Sequence, residues 1–379
     1  MKVLHVISTG RRRGGEIFAA DLVRALAQAG FEQRVAVISS DGVAAVPFDV
    51  PSHVFRLTGA RVPGLRVRWG TVRALRALVR EWRPDVVQAH GGQPHKYMVL
   101  ASPRGTAPVV YRRIGSASYG NDRGLRRLVH ARLMRRADAI VAVAEAVREE
   151  TLRIFGLPED LVVTIPNAVD PSRLVPSRSR GATRRSLGIP PGAPVVVSLG
   201  ALSWEKDPLA HLAVADGIRR VRDDVVHLLV GDGILRGSVV RTIGELGVER
   251  VRLLGVRADV PELLAAGDVL LLTSRTEGMP AVVIEAGMLG LPVAGFDIAG
   301  VPEVVEHGAT GLLAAPGDVE GLTRAVLDLL EDPVARREMG EAARERSGRF
   351  DIRSVAGQYV DLYRRLASDR SLSRSGEPA

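Results

Sequence analysis

The chain contains no cysteine, few aromatic residues and only three lysines, and two of these shortages exclude whole classes of function. Without cysteine there is no disulfide framework, no thiolate nucleophile and no cysteine-ligated metal site, a composition that fits a reducing cytosol. Aromatic residues make up 4% of the 379 residues, so basic side chains are not interleaved with aromatic ones that could stack on bases. No known nucleic-acid-binding module is present either. We therefore expect no nucleic-acid partner.

Long apolar runs are also missing. No stretch approaches the roughly 18 consecutive apolar residues that a membrane-spanning helix needs. Residues 2–8, Lys-Val-Leu-His-Val-Ile-Ser, have the pattern of a first β-strand and not that of a signal peptide. The sequence therefore predicts a cytoplasmic protein that is soluble or attached only to a membrane surface.

Positive charge is concentrated in the first half of the chain. Residues 1–170 contain 26 Lys and Arg against 15 Asp and Glu, a net charge of +11, whereas residues 171–379 contain 26 against 28, a net charge of −2. This asymmetry predicts that the first half meets an anionic ligand or surface. Because 49 of the 52 basic residues are Arg, a bias of genome composition is an alternative explanation.

Two segments hold many of these arginines. One predicted helix contains Arg66, Arg68, Arg73, Arg76 and Arg80, and residues 122–136 form a second basic helix. Basic amphipathic helices can rest on anionic lipid, each base contributing about 1 kcal/mol near the surface. Their apolar faces can equally pack on the domain's own sheet. We expect the apolar faces to pack and the arginines to meet solvent or phosphate.

Short apolar strands alternate with amphipathic helices along both halves, the pattern of parallel α/β sheets. We predict strands at residues 3–7, 34–38, 86–89, 109–111, 139–143 and 162–165, and then at 195–199, 227–230, 252–254, 269–272, 293–295 and 312–314. The chain also exceeds the roughly 250–300 residues to which single cores grow. The predicted fold is therefore α/β, with two doubly wound Rossmann-like domains facing across a cleft. The predicted segments are a first domain at 1–170, a linker at 171–192, a second domain at 193–350, a C-terminal helix at 351–368 that packs back on the first domain, and a disordered tail at 369–379.

Several familiar catalytic motifs are absent. The loop after the first strand, residues 9–16, is neither the dinucleotide fingerprint nor a P-loop, which would need Gly-Lys-Ser/Thr. The chain has no H-E-x-x-H, D-x-D or G-x-S-x-G motif. We therefore expect no cofactor, no dedicated metal site and no serine nucleophile.

The segment around Glu277 and Glu285 is the most informative part of the sequence. It follows the apolar run 268–273, which predicts a buried strand, and Pro280 suits the first turn of a helix. Glu277 then lies in the loop at the carboxyl end of the strand, and Glu285 projects from the helix. Gly278 permits a close backbone approach, and the free amides of the helix favour an anion. A ligand with a diphosphate and sugar rings fits this segment, although two solvated glutamates are the simpler interpretation.

Three other loops follow predicted strands and therefore lie where open α/β sheets bind ligands. Gly14 and Gly15 let the backbone approach a ligand at the start of a helix. Lys206 is suited to neutralising phosphate charge, unless it is merely an exposed residue at a helix start. His90 ends a strand and could bond a sugar hydroxyl, although a core histidine is commoner. Gly231-Asp232-Gly233 is interpreted as a structural turn.

Taken together, the motifs resemble those of a known family. They are Glu277-Gly278-Met279-Pro280 with Glu285, Gly290-Leu291-Pro292-Val293, Gly300-Val301-Pro302-Glu303, Gly308-Ala309-Thr310-Gly311-Leu312-Leu313, Gly14-Gly15-Glu16, Pro166-Asn167-Ala168-Val169-Asp170 and Glu205-Lys206-Asp207. In this combination the chain resembles the retaining nucleotide-sugar glycosyltransferases of the GT-B fold, family four. The resemblance covers nearly the whole chain. It is specific for the family and not for a donor or acceptor.

The resemblance implies roles for these residues. Glu277 would contact the donor sugar and Glu285 the nucleotide ribose, while Lys206 and the backbone of Gly278, Met279, Pro280, Ala281 and Val282 would hold the diphosphate. Gly14 and Gly15 would close over the diphosphate from the first domain. The implied reaction moves a sugar from a UDP- or GDP-sugar to a glycan or lipid-linked acceptor, with retention and without an essential metal. For catalysis the resemblance implies Glu277 and Lys206. The expected pathway is cell-envelope or exopolysaccharide synthesis.

Two departures from the family pattern concern the phosphate site. Many members carry Arg where Ala201 stands, and many carry His near Arg113. Arg113 or Arg275 could supply the missing charge, and we place His90 and Arg113 on the acceptor side. Two alternatives stay open: a nucleotide-sugar epimerase of similar architecture and a non-catalytic nucleotide-sugar-binding subunit. Attachment to an anionic membrane surface through the basic first domain is a further expectation.

Overall fold

The computed structural model describes residues 1–39, 48, 50–62, 66–103, 106–115 and 124–375. The chain divides into two compact units, the first formed by Met1–Ala168 with Ile352–Ala379 and the second by Val169–Asp351. Each unit is built around a fully parallel sheet, and most of the described connections between its strands contain a helix. This confirms the α/β class and the two Rossmann-like halves.

The first unit contains a seven-stranded sheet in the order β3-β2-β1-β6-β7-β8-β9. Its strands are β1 (Lys2–Ile7), β2 (Glu32–Ser39), β3 (Ser52–Arg56), β6 (Val86–His90), β7 (Val109–Arg113), β8 (Ala139–Ala142) and β9 (Val162–Thr164), and β4 (Arg61–Val62) and β5 (Val67–Arg68) form a separate antiparallel hairpin. Strand β1 is buried along almost its whole length because helices cover both faces of a parallel sheet. The sequence did not predict β3, an edge strand with mostly exposed side chains.

The helices of the first unit are α1 (Gly14–Gln28), α2 (Trp69–Trp82), α3 (Gly92–Ala101), α4 (Gly124–Met134), α5 (Glu145–Phe155) and α14 (Ile352–Ser375). Phe18, Leu22 and Leu26 of α1 pack against Tyr359 and Tyr363 of α14. The predicted apolar face of α1 is thus buried, except that Ala29 caps the helix and is exposed. Helix α14 continues to Ser375, so the disordered tail predicted from residue 369 is wrong up to that point, and 376–379 lie outside the described residues.

The second unit has a six-stranded sheet in the order β12-β11-β10-β13-β14-β15. The strands are β10 (Val195–Leu199), β11 (Val226–Val230), β12 (Val251–Gly255), β13 (Val269–Leu272), β14 (Val293–Phe296) and β15 (Gly311–Ala314). The helices are α6 (Arg180–Ser186), α7 (Pro208–Arg219), α8 (Arg236–Leu246), α9 (Val260–Ala266), α10 (Ala281–Met288), α11 (Val301–Val304), α12 (Val319–Glu331) and α13 (Pro333–Ser347). All six strands lie where the apolar runs predict them.

The linker predicted for residues 171–192 is instead folded into the second unit. It contains a 3₁₀ helix, Pro171–Leu174, and helix α6. Arg180 and Arg184 bind the Asp268 carboxylate with N···O distances of 2.6 and 2.7 Å. Proline, serine and arginine suggest a linker locally, but the partner that orders the arginines lies more than 80 residues further along the chain.

Candidate functional site

The candidate site in the second unit lies where the strand order reverses. Strand β10 pairs with β11 on one side and with β13 on the other, so the loops after β10 and β13 emerge side by side at the carboxyl edge. Ligands of open α/β sheets bind at such a switch point. The two loops, residues 200–207 and 273–280, contain most of the residues that the sequence singles out.

Lys206 and Glu277 meet between these loops. The Lys206 Nζ lies 2.5 Å from Glu277 Oε1, and the Ser274 hydroxyl donates to the same oxygen at 2.6 Å. The Glu277 side chain is 9% exposed and the Lys206 side chain 33% exposed. The lysine is therefore not a solvated residue at a helix start, but a cation held against a largely buried carboxylate.

The loop that holds Lys206 is fixed by its neighbour Asp207. Asp207 has a left-handed backbone, with φ of 43°, and its side chain caps α7 by accepting from the Ala210 amide. Arg275 binds the Asp207 carboxylate at 2.6 Å, and the Arg275 amide donates to the Glu205 carbonyl at 2.8 Å. Arg275 thus ties the two loops together. The Arg275 guanidinium already binds Asp207. It could replace the positive charge that many family members carry at the position of Ala201 only if it bound a phosphate and Asp207 together.

Glu285 lies in α10, the helix that follows the Glu277 loop, and Pro280 occupies the N-cap immediately before it. Ala281 and Val282 form the first turn of this helix, and Gly278 and Met279 precede the cap. The Glu285 carboxylate accepts a hydrogen bond from Arg173 Nη2 at 2.9 Å. The two glutamates therefore bind different cations, Lys206 in one case and Arg173 in the other.

The turn Gly231-Asp232-Gly233 has the structural role that the sequence suggests. Gly231 has φ of +135°, and a Cβ there would overlap the carbonyl oxygen of Gly200. A Cβ on Gly233 would overlap the carbonyl of Leu202 in the same way. The β11 turn thus packs directly on the backbone that leads to Lys206, and only glycine permits that distance.

In the first unit, Gly14 and Gly15 begin α1 directly after the loop that follows β1. A Cβ on Gly15 would come within 3.3 Å of Ile114 Cδ1, whereas Gly14 has open space around it. Glu16 in the same first turn is buried, and this burial raises the pKa of its carboxyl in spite of the nearby Arg13 and Arg112 charges. The structure places the two glycines at the start of α1, where Gly14 is exposed and Gly15 is partly buried.

His90 lies at the end of β6 in a buried chain of polar groups. Its Nε2 is 3.1 Å from His5 Nδ1, and His5 Nε2 is 3.0 Å from Gln33 Oε1. Burial, reinforced by His5 and Arg112, holds the pKa of His90 well below its usual range. His90 is only 5% exposed, and within the described residues its Nδ1 has no hydrogen-bond partner.

Arg113 and its neighbour Arg112 are both buried at the end of β7. Arg113 lies over the Phe155 ring, 5.3 Å from its centroid, and Arg112 lies over Phe18 at 3.5 Å. Arg112 also donates to Asn167 Oδ1 at 2.7 Å. Arg113 was predicted at the site and Arg112 was not, although Arg112 is the more deeply buried of the two. Two successive arginines inside an apolar strand were the available signal, since a buried strand rarely admits a charge without a specific partner.

Comparison with known proteins supplies the family. Residues 179–346 match the family model described as glycosyl transferases group 1, and residues 12–173 match the model described as glycosyltransferase family 4. The 2-deoxystreptamine N-acetyl-D-glucosaminyltransferase of Streptomyces fradiae is 30% identical over 378 residues, covering 87% of this chain and 85% of that relative. The chain belongs to the group 1 glycosyltransferases. The 2-deoxystreptamine glucosyltransferase of Streptomyces kanamyceticus is 29% identical, with 90% of this chain and 96% of that relative covered.

A solved structure shows the same fold as this glycosyltransferase. The crystal structure of Anabaena HepE in complex with UDP and glucose superposes with a TM-score of 0.82, covering 96% of this chain and 99% of that one at 24% identity. At this identity the likeness concerns the fold, and it confirms the GT-B architecture.

The basic helices of the glycosyltransferase differ from the prediction. Arg66 and Arg68 lie in the β4–β5 hairpin and not in a helix, since α2 begins at Trp69. The apolar face of α2 packs as expected. That of α4 packs only in its second half, where Ala131 and Met134 are buried, whereas Leu125 and Leu128 are 76% and 60% exposed. Residues 122 and 123 of the predicted second basic helix lie outside the described residues.

The described part of the glycosyltransferase contains neither a membrane-spanning helix nor a cluster of metal ligands. Among the described helices, none combines the length and the apolar character that a membrane span requires. Across the same part of the chain, no three His, Asp or Glu side chains are grouped as metal ligands would be.

Proposed function

We propose that this glycosyltransferase transfers a sugar, with retention, from a UDP- or GDP-sugar to a glycan or lipid-linked acceptor in cell-envelope or exopolysaccharide synthesis. The second unit binds the donor and the first unit binds the acceptor. The reaction takes place in the cytoplasm, at or near the cytoplasmic face of the membrane. The contact between Lys206 and Glu277 is the observation that carries this proposal.

The Lys206–Glu277 contact supplies the two kinds of group that a nucleotide-sugar requires at one place. The ammonium is partly exposed and can neutralise diphosphate oxygens, while the carboxylate accepts hydrogen bonds from sugar hydroxyls. Ser274 fixes the shared carboxylate oxygen. Among the described residues the second oxygen of Glu277 has no hydrogen-bond partner, so it can receive a hydroxyl. The loop therefore holds both groups in position before the donor arrives.

Helix α10 completes the proposed donor site. The backbone from Gly278 to Val282 leads into the positive end of this helix, which favours a diphosphate. Glu285, one turn further, accepts hydrogen bonds from the ribose hydroxyls. Gly14 and Gly15 remain predicted donor contacts, and His90 and Arg113 remain predicted acceptor-side residues.

In this proposal the enzyme accelerates transfer by stabilising the departing nucleoside diphosphate. The bond between the sugar C1 and the phosphate oxygen breaks, and its electron pair passes to the diphosphate. The acceptor oxygen bonds to C1, and its proton passes to the departing diphosphate. Lys206 and the amides at the start of α10 stabilise that charge, which in other transferases is the task of a metal ion. We accordingly propose a reaction without an essential metal and assign no side chain as general base.

The relatives support a nucleotide-sugar donor. HepE was crystallised with UDP and with UDP-glucose, and the Streptomyces relatives are named as glucosyl- and N-acetylglucosaminyltransferases. Both Streptomyces relatives are named for 2-deoxystreptamine, an aminocyclitol, and both are aligned over most of their length. A small aminocyclitol is therefore a second candidate acceptor. A cationic acceptor suits the charge of +11 on residues 1–170 less well than an anionic one.

Thermal unfolding with UDP-, GDP- and dTDP-sugars tests the proposal, because a ligand that binds only the folded state raises its stability. We expect one nucleotide class to raise the melting temperature of the wild type. NMR of the product anomer tests retention, and EDTA tests independence from metal. If no nucleotide-sugar binds, and Lys206→Ala and Glu277→Ala leave sugar transfer unchanged, the proposal is wrong. Donor binding without transfer across a panel of acceptors would instead indicate a non-catalytic subunit, and release of a new sugar without acceptor an epimerase.

Helix α4 is the proposed membrane contact. Exposed Leu125 and Leu128 lie on a helix that also contains Arg126, Arg127 and Arg132. Apolar side chains beside several arginines match the chemistry of an anionic bilayer surface. We expect sedimentation with phosphatidylglycerol vesicles that weakens with salt, and loss of sedimentation in Leu125→Ser/Leu128→Ser. Sedimentation that depends on neither lipid charge nor salt would contradict this contact.

A further inference from the structure

The first unit contains a cavity of ≈ 510 Å³ with a basic lining. Its walls are Leu57, Arg61, Arg66, Arg68 and Tyr97. Three of these residues come from the β4–β5 hairpin, Leu57 follows the end of β3, and Tyr97 comes from α3, the helix that begins after β6. The cavity thus lies beside segments that follow the carboxyl ends of two parallel strands, the edge at which such sheets bind ligands.

Hydrogen bonds hold the hairpin in place. The Arg68 amide donates to the Tyr97 hydroxyl at 3.0 Å, which ties β5 to α3, and Arg68 Nη1 donates to the Gly59 carbonyl at 3.0 Å. Thr71 accepts from the Thr58 amide and donates to the Arg56 carbonyl, both at 3.1 Å. Two of the lining residues, Arg68 and Tyr97, are therefore held in place by hydrogen bonds, and the hairpin that contains Arg61 and Arg66 is fixed to α3 through them.

The charges around this cavity are of one sign. Within the described residues, Arg61, Arg66 and Arg68 form no ion pair with a carboxylate. Lys96, the residue before Tyr97, is close enough that the Arg66 charge adds to burial in lowering the pKa of the Lys96 ammonium. Like charges held together raise the free energy of the unit, and a bound anion relieves the repulsion.

We propose that this cavity binds the phosphate group of a phosphorylated acceptor. Planar guanidinium groups offer forked donors that match phosphate oxygens, and the cavity has room for a ring attached to the phosphate. That the phosphorylated ligand is an acceptor rests on the proposed function. That the cavity binds a phosphate does not. The phosphate belongs either to a soluble sugar phosphate or to a lipid headgroup.

Titration calorimetry of glucose 6-phosphate against the full chain tests the soluble source. The informative variant is Arg61→Gln/Arg66→Gln, because both side chains are exposed and their loss leaves the hairpin contacts intact. We expect glucose 6-phosphate to bind at least about tenfold more weakly, since hydrogen bonds to charged groups are lost. The matched control is Arg80→Gln, an exposed arginine of α2 outside the cavity, which should bind as the wild type does.

Sedimentation with phosphatidylglycerol vesicles tests the lipid source with the same variants. Weaker binding of the double variant in either experiment, relative to Arg80→Gln, supports the phosphate site and identifies its source. Equal binding by the double variant and Arg80→Gln in both experiments overturns the proposal. Lys206→Ala separates this result from the donor site, because it should reduce nucleotide-sugar binding and leave the difference between the arginine variants unchanged.

Discussion

The Lys206 ammonium and the Glu277 carboxylate are joined at 2.5 Å across 71 residues of sequence. The ion pair connects the two loops at the switch point of the second sheet. Because Glu277 is largely buried, removing the lysine leaves a carboxylate whose main described contact is the Ser274 hydroxyl. We propose two functions for this ion pair. In the free enzyme it orders the site, and in the donor complex Lys206 binds the diphosphate while Glu277 binds the sugar.

Lys206→Ala should lower kcat/KM for sugar transfer by roughly 100- to 1000-fold, the usual effect of removing one preorganised donor to a developing negative charge. The steady-state rate with the matching nucleotide-sugar measures this effect. Lys2→Ala is the control, because Lys2 is one of only three lysines and its side chain is 41% exposed in the first unit. Equal rates for Lys206→Ala and Lys2→Ala would remove Lys206 from the mechanism.

Glu285→Gln should weaken nucleotide-sugar binding by about tenfold, since a hydrogen bond to a charged group contributes roughly 1.5–3 kcal/mol and the amide retains part of it. Calorimetric titration of the donor measures the change. The control Glu341→Gln removes a carboxylate whose ion pair with Arg337 is exposed on both sides. An unchanged donor affinity in Glu285→Gln would show that Glu285 serves only its partly buried contact with Arg173.

Sequence alone predicts the second sheet and the position of Lys206 and Glu277 because both follow from local patterns. Buried parallel strands are continuous apolar runs, and the loops at their carboxyl ends contain the polar residues. Strand β3 could not be found in this way, since its exposed edge position does not require apolar side chains.

Contacts distant in sequence explain the remaining differences. The segment 171–192 looks like a linker until Asp268 is brought beside Arg180 and Arg184. Likewise, Arg173 binds Glu285 at a separation of 112 residues, and no spacing rule indicates that pair. Leu125 and Leu128 of α4 were expected to pack on the sheet but are exposed. A helical pattern identifies an apolar face and does not show what covers that face.

Gly231→Ala should destabilise the second unit and abolish transfer. Its φ of +135° is unfavourable for alanine, at about 1–3 kcal/mol, and the added Cβ would also displace the Gly200 backbone that leads to Lys206. Gly244→Ala is the control: this glycine is inside α8 with open space around it, so alanine should stabilise by about 0.5–1 kcal/mol. Denaturant unfolding measures both changes, and a Gly231→Ala variant as stable as the wild type would contradict the close approach.

His211 should make the protein sensitive to acid. It packs edge-on against His227 at 5.3 Å, and within the described residues neither of its ring nitrogens has a hydrogen-bond partner. Burial lowers the pKa of His211 from 6.5 to about 4. In the unfolded chain His211 is protonated below about pH 6.5, whereas in the folded chain it stays neutral until about pH 4. The contribution of neutral His211 to stability is therefore fully present above pH 6.5 and is lost as the pH falls.

At pH 5 the loss from His211 amounts to about 2 kcal/mol, from the linkage between proton binding and unfolding. Urea unfolding at pH 7 and pH 5 measures it. His211→Leu should lose correspondingly less stability between the two pH values, because leucine binds no proton in either state. The control His53→Leu replaces an exposed histidine of β3 and should keep the pH dependence of the wild type. If His211→Leu and His53→Leu lost the same stability on acidification, the protonation of His211 would not be what destabilises the fold.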